Sequence, residues 1–329
     1  MQTQTEKARY HAIGKWGRGR VRAVDLTARD LDYLHALFIT GTLSAEMLHA
    51  LVSPRQSQRI TTDRMFLLKN PPNDFVVQPK GQENSRSANY TSLAYEISER
   101  GVTALVNAGR IAYADYVLWK KLQANYKPQH FDHDCATGYI LGSIQLGARE
   151  AGIRFISSLE ILNRRKCPPE TRAATNPVAI PYEASDGRRW LIPDGIFGLE
   201  YPSGACFFAL ETDMGTEQLC DSKIKPATIT QKLRGYRAII RDEIYRSRFG
   251  LPSLQVLTVT ASVVRMQNMM ELIERQAACD PNWPTRAFNF KALPERVHRS
   301  GAQLPSSGHL LTTPWNRALH ANSDFSCLQ

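Results

Sequence analysis

The chain has 329 residues, with 41 Lys and Arg against 31 Asp and Glu, a net charge of +10 and a pI near 9.4. At roughly 100–200 residues per domain this length predicts two domains, and 43% apolar with 22% charged residues excludes wholesale disorder. No apolar run approaches the roughly 18 residues of a membrane span, and the basic N-terminal stretch has no signal-peptide core.

Six cysteines (Cys135, Cys167, Cys206, Cys220, Cys279 and Cys327) stand without C-x-x-C pairing. That spacing fits neither a zinc module nor a secreted disulfide framework, so a reducing cytoplasm is the expected location. The charge excess points to a polyanionic partner.

Residues 1–22 carry Lys7, Arg9, Lys15, Arg18, Arg20 and Arg22 against Glu6, with Gly14, Gly17 and Gly19 between them. They read as a basic arm able to follow phosphates, the alternative being a solvated terminus. Thr27 then caps a helix whose Leu31, Leu34, Leu37 and Phe38 repeat at helical spacing up to Gly41. A second short helix starts at Ser44, with Met47, Leu48 and Leu51 as its stripe, and Pro54 closes it. A third is expected from Gln56 to Leu68, turning Ile60, Met65, Leu67 and Leu68 inward. Arg55, Arg59, Arg64 and Lys69 are left for solvent or phosphate. Phe75-Val76-Val77 and Leu93 to Ile97 are strand-like, separated by the polar segment Pro79 to Ser92, and Ser98 caps a further helix through Leu105. Three helices, a hairpin and a helix make a winged helix-turn-helix over residues 23–110, with the basic third helix as the DNA reader. A small helical domain for protein contacts is the alternative.

Residues 111–130 mix Tyr113, Tyr116, Trp119 and Tyr126 with Lys120, Lys121 and Lys127, and predict a linker helix. In residues 131–292 a helix to Glu150 precedes a strand from Ile153 to Leu159. Arg164 to Ser185 reads as a loop or insertion. Strand-like segments follow at Arg189 to Ile192, Ile196 to Leu199 and Cys206 to Thr212. A long helix from Thr228 to Phe249, a strand to Thr260, a helix and a last strand at Ala287 to Phe290 complete an α-β-β-β-α-β-α-β order. The fold class is mixed α+β. Residues 293–329 form a C-terminal extension that Trp315 could dock.

On this frame sit Asp194, after Pro193, and Glu211 and Asp213, which share one face if the strand continues that far. A neighbouring strand could bring Asp194 beside them. Three bare carboxylates repel one another, and Mg²⁺ or Mn²⁺ relieves that repulsion while polarising a phosphate. Glu217 and Glu150 are weaker candidates, better explained as a loop and an exposed residue. His133-Asp134 reads as structural, since no nucleophile is placed to use it. No Gly-x-x-x-x-Gly-Lys-Ser/Thr or Gly-x-Gly-x-x-Gly pattern occurs.

Pro193-Asp194, a hairpin and Glu211-x-Asp213 resemble the PD-(D/E)xK nuclease core, with Asp213 where that core usually has lysine. The resemblance implies that Lys232, on the following helix and four residues before Tyr236, supplies the missing cation. Across the chain, Leu26-Thr27-Ala28-Arg29-Asp30, Pro193-Asp194, Glu211-Thr212-Asp213-Met214-Gly215-Thr216-Glu217 and Lys232-Leu233-x-x-Tyr236 resemble the replication-relaxation family of plasmids and other mobile elements. That implies a winged helix joined to a nuclease-like domain acting on DNA in replication or mobilisation, alongside a replication, mobilisation or nuclease partner protein.

Two functions are thus expected. One is a DNA-binding, metal-dependent endonuclease with catalytic Asp194, Glu211, Asp213 and Lys232. The other is a non-catalytic DNA-binding or assembly factor, or a winged-helix regulator, with a degenerate nuclease fold.

Overall fold

The computed structural model describes residues 22–79, 81–82, 93–125, 131–215, 219, 228–293 and 306–326. Arg18 and Arg20 of the basic arm, most of the segment from Pro79 to Ser92, Glu217, Cys220 and Cys327 lie outside the described residues. Among the described residues no helix is long and apolar enough to cross a membrane.

The architecture is mixed α+β. Helix α1 (Ala28–Thr40) starts at a reciprocal cap: the Thr27 side chain accepts from the Asp30 amide, and the Asp30 carboxylate accepts from the Thr27 amide. It buries Tyr33, Leu34, Leu37 and Phe38 and stops at Gly41, whose φ of +88° favours glycine. The two-residue strand β1 (Leu43–Ser44) leads into α2 (Ala45–Val52), where Ser44 Oγ accepts from the Met47 amide.

Helix α3 (Gln58–Lys69) begins two residues later than the sequence suggests. Its inward stripe is Thr61, Met65 and Leu68, spaced i, i+4, i+7. Ile60 is one position off that stripe and is exposed, contrary to expectation.

Strands β2 (Val76–Val77) and β3 (Ala94–Ile97) complete a three-stranded antiparallel sheet in the order β1-β3-β2. Ser98 then caps α4 (Glu99–Asn107), accepting from the Gly101 amide at 3.0 Å. Helix α5 (Tyr113–Ala124) buries Leu118, and its Lys121 donates to the carbonyls of Arg172 and Ala173.

The 20-residue helix α6 (Phe131–Glu150) serves both halves of the protein. On one side a Cβ added at Gly138 would lie 1.7 Å from the Thr42 carbonyl oxygen, so only glycine lets the helix approach β1 this closely. Gln145 donates to Thr40 Oγ1 at 2.8 Å, and Arg149 donates to the carbonyls of Ala50 and Leu51, satisfying the end of α2. On the other side Thr137 bonds Thr212 of the main sheet at 2.9 Å.

That sheet has five strands in the order β10-β9-β8-β7-β4: β4 (Arg154–Ile156), β7 (Gly195–Tyr201), β8 (Gly204–Asp213), β9 (Gln255–Thr260) and β10 (Phe288–Ala292). β4, β7 and β8 run antiparallel in turn, whereas β9 is parallel to both β8 and β10. β4 is shorter than the sequence suggests because Ser157 caps α7 (Ser158–Asn163).

The segment from Arg164 to Ser185 is not simply a loop. It contains α8 (Pro169–Ala173) and β5 (Ile180–Ala184), and β5 pairs with β6 (Gly187–Leu191) in a separate hairpin. The expected long helix is two: α9 (Ile229–Arg241) and α10 (Ile244–Phe249), divided where Glu243 takes a left-handed conformation at φ +49°. Helix α11 (Val263–Cys279) joins β9 to β10.

Past β10, Trp315 is fully buried and does dock the C-terminal extension. Its Nε1 donates to the Leu310 carbonyl at 2.9 Å, and Phe325 meets Phe208 of β8 edge-on at 5.0 Å. Lys291 is buried beneath this extension. Its ammonium donates to the carbonyls of Leu310 and Thr313, and burial lowers its pKa to about 8.

Candidate active site at the ends of the central strands

Strand β8 is apolar from Phe207 to Leu210, which fixes it in the core, and its last residues carry the acids. The register pairs Gly195 with Leu210, and the Asp194 amide donates to the Leu210 carbonyl at 3.0 Å. Asp194 therefore stands across from Glu211, as the hairpin spacing predicts.

Glu211 is buried. Its Oε1 accepts from the Tyr236 hydroxyl at 2.5 Å and its Oε2 from Lys232 Nζ at 3.1 Å. Tyr236 and Lys232 lie one turn apart on α9, so one helical face supplies both donors. Burial, reinforced by the Asp194 charge, raises the Glu211 pKa to about 7 even though Lys232 and Tyr236 oppose the rise. A cavity of about 20 Å³ bounded by Glu211, Asp213, Lys232 and Tyr236 has room for one water-sized group.

Asp194 Oδ2 accepts from the Thr212 amide at 2.7 Å and lies 3.2 Å from His133 Nε2 on α6. Burial disfavours charge on this imidazole, but its bonds to Asp134 and Asp194 outweigh that and raise its pKa to about 10. His133 thus sits at ion-pair distance from Asp194. Asp194 also lines a cavity of about 260 Å³ with Asp134, Glu96 and Trp119, between α1, α5 and β7.

Asp213 does not join the other two acids. Arg265, at the start of α11, grips it with both Nε and Nη2, the latter 2.7 Å from Oδ1, and Thr260 Oγ1 donates to Oδ2 at 2.7 Å. Asp213 as a metal ligand is therefore corrected to a structural role, because its two oxygens are already engaged by a planar guanidinium. Among the described residues no group of three or more His, Cys, Asp or Glu side chains is arranged to hold a metal.

For a divalent cation, the residues that fit are two, Asp194 and Glu211. They are oxygen donors, the ligand type that Mg²⁺ or Mn²⁺ takes, and the Asp194 charge is close enough to raise the Glu211 pKa. Glu150 is exposed.

Of the predicted DNA-contacting residues, Arg22, Arg55 and Arg59 are exposed, with Arg59 3.6 Å from Asp63 on the same helix face. Arg64 is a correction. It donates from Nε and Nη2 to Asp30 at 2.7 and 2.6 Å, and Asp30 is fully buried, so this guanidinium holds α3 to α1. Lys69, the last residue of α3, is half-buried and donates to Gln78, just past β2, at 2.8 Å.

His133 and Arg265 are the residues that sequence reasoning missed. His133-Asp134 was visible as a pair, but nothing local tied it to Asp194. Arg265 lies 52 residues from Asp213 with no motif between them.

A family model described as replication-relaxation matches residues 34–252. No curated protein and no solved structure matches the chain.

Proposed function

The chain belongs to the replication-relaxation family, and from that membership and the geometry above we propose that it is a DNA-binding protein of a plasmid or other mobile element with a metal-dependent phosphodiester-cleaving centre. The N-terminal part is read as a winged helix: α1, α2 and α3, the β1-β3-β2 sheet, and α4 after it. The C-terminal part is read as a PD-(D/E)xK-like core in which α6, β4, β7, β8, α9 and β9 follow the α-β-β-β-α-β order.

The observation that carries the cleavage reading is Glu211, buried at the end of a central strand, opposite Asp194 and 3.1 Å from Lys232. Asp194 and Glu211 would hold the cation, whose chemistry when bound is to polarise a phosphate oxygen and acidify a neighbouring water. The chain's own residues do the rest. Tyr236 fixes one Glu211 oxygen, Lys232 keeps a positive charge where a phosphate would gain negative charge, and α9 holds both at one spacing.

A second reading has its own support. Asp194 meets His133, Glu211 meets Lys232 and Asp213 meets Arg265, so each acid already has a protein cation. Such balance suits a non-catalytic DNA-binding or assembly factor that keeps the fold as a scaffold.

Both readings require DNA binding, and the third helix tests it. Arg55→Ala with Arg59→Ala is expected to weaken duplex affinity and flatten its salt dependence by about one unit per lost phosphate contact. Arg64→Ala should instead lower stability by about 3 kcal/mol, because it leaves the buried Asp30 carboxylate unpaired. Fluorescence anisotropy between 50 and 200 mM KCl, together with urea denaturation, measures the two effects. An unchanged salt slope in the double variant would remove α3 from the DNA interface.

A further inference from the structure

Two other tryptophans, Trp283 and Trp315, are buried, yet Trp190 on β6 is 56% exposed, and Ile192 just past the strand is also 56% exposed. Exposing an indole to water is unfavourable, and this one is held by its surroundings. Leu191, the next residue, is buried against α9, where a Cβ at Gly235 would come within 3.0 Å of both Leu191 and Tyr182. The hairpin is therefore seated on the helix that carries Lys232, one turn further along, and its alternation turns Trp190 outward.

Two guanidinium groups attend the ring. Arg188, on the same outer face of β6, lies 5.5 Å from its centroid and Arg248 of α10 lies 6.0 Å away. Arg248 is fixed there by donating to the carbonyls of Asn176 and Pro177. The acids nearby are Glu183, across the hairpin from Arg188, and Asp186, which pairs with Arg189 near the turn.

A flat ring beside two cations matches the chemistry of an unpaired nucleotide, whose base stacks while its phosphate meets the guanidinium. A duplex hides its base faces in its own stack and cannot use the ring. Position strengthens the case. Trp190 is four residues before Asp194, so their Cα atoms lie within about 14 Å. Even at the duplex rise of about 3.4 Å per nucleotide that separation spans at most about four nucleotides.

We propose that Trp190, with Arg188 and Arg248, is a stacking site for an unpaired base of a DNA strand whose backbone passes the Asp194–Glu211 carboxylates. The inference rests on the DNA-processing reading and deepens it: the strand presented to the site is single or locally melted.

The test uses the full chain in EDTA with fluorescein-labelled dT20 and a 20-base-pair duplex. Trp190→Ala is expected to weaken dT20 binding about 5- to 100-fold while changing duplex affinity less than twofold. Trp190→Phe should keep most of the affinity, and Arg188→Gln should flatten the salt dependence on dT20. The proposal is overturned if Trp190→Ala leaves dT20 binding unchanged or weakens duplex binding equally. It is also overturned if sedimentation shows a dimer that this variant dissolves, which would make the ring a contact between copies. Wild-type binding to duplex but not to dT20 sinks this inference and leaves the DNA-binding reading standing; binding to neither sinks both.

Discussion

Replacing Arg265 by Met is expected to lower the unfolding free energy by about 3–5 kcal/mol, one of the largest losses available to a single substitution outside the hydrophobic core. Asp213 and Arg265 are nearly enclosed, with side chains 4% and 16% exposed, and the guanidinium meets both carboxylate oxygens. Among the described residues, removing the cation leaves this buried carboxylate with Thr260 and the Gly215 amide as donors. The double variant Asp213→Leu with Arg265→Met should recover most of the loss, since it removes the stranded charge as well. Urea denaturation of the two single variants and the double gives the coupling directly. A loss below about 1 kcal/mol for Arg265→Met would mean that the pair does not secure this strand end. Asp213 would then return to the list of cation ligands.

The second large effect belongs to Lys232. Lys232→Met is expected to lower cleavage about 10²- to 10³-fold, the usual consequence of losing one preorganised group at a developing charge. DNA affinity should stay within twofold. The ammonium reaches from a half-exposed position on α9 to a carboxylate only 8% exposed, so it links the buried acid to the protein surface. Lys232→Arg should retain part of the rate, because a cation remains on the same face of α9. Should Lys232→Met cleave as fast as the unmodified protein, the ammonium serves only to neutralise Glu211.

Lys232 was readable in the sequence and Arg265 was not. Asp194 and Glu211 were legible as a pair because a strand, a tight turn and a strand impose a register, and the Phe207 to Leu210 run announces a buried strand. Lys232 and Tyr236 were legible because i and i+4 share a helical face. Asp213 misled for the same local reason: alternation puts it on the face of Glu211, but its carboxylate is captured by Arg265, from a helix four elements later. Arg64 misled likewise. A basic residue on a short amphipathic helix looks solvated until α1 delivers Asp30 beneath it. The β5–β6 hairpin was hidden because a polar, proline-bearing stretch carries little alternation of its own. Gly138 gave no local hint of the close approach between α6 and β1. Apart from that local hairpin, what escaped the sequence is a contact between segments far apart in the chain.

Cleavage of DNA by the proposed Asp194–Glu211–Lys232 centre can be measured in one comparison. Supercoiled plasmid and single- and double-stranded oligonucleotides are incubated with the unmodified protein and with Glu211→Ala, in EDTA, Mg²⁺ and Mn²⁺. The account predicts nicked or shortened DNA only with metal and only from the unmodified protein, while both proteins retard DNA equally. Bound but intact DNA from the unmodified protein under every condition would contradict it and transfer the function to the scaffold reading.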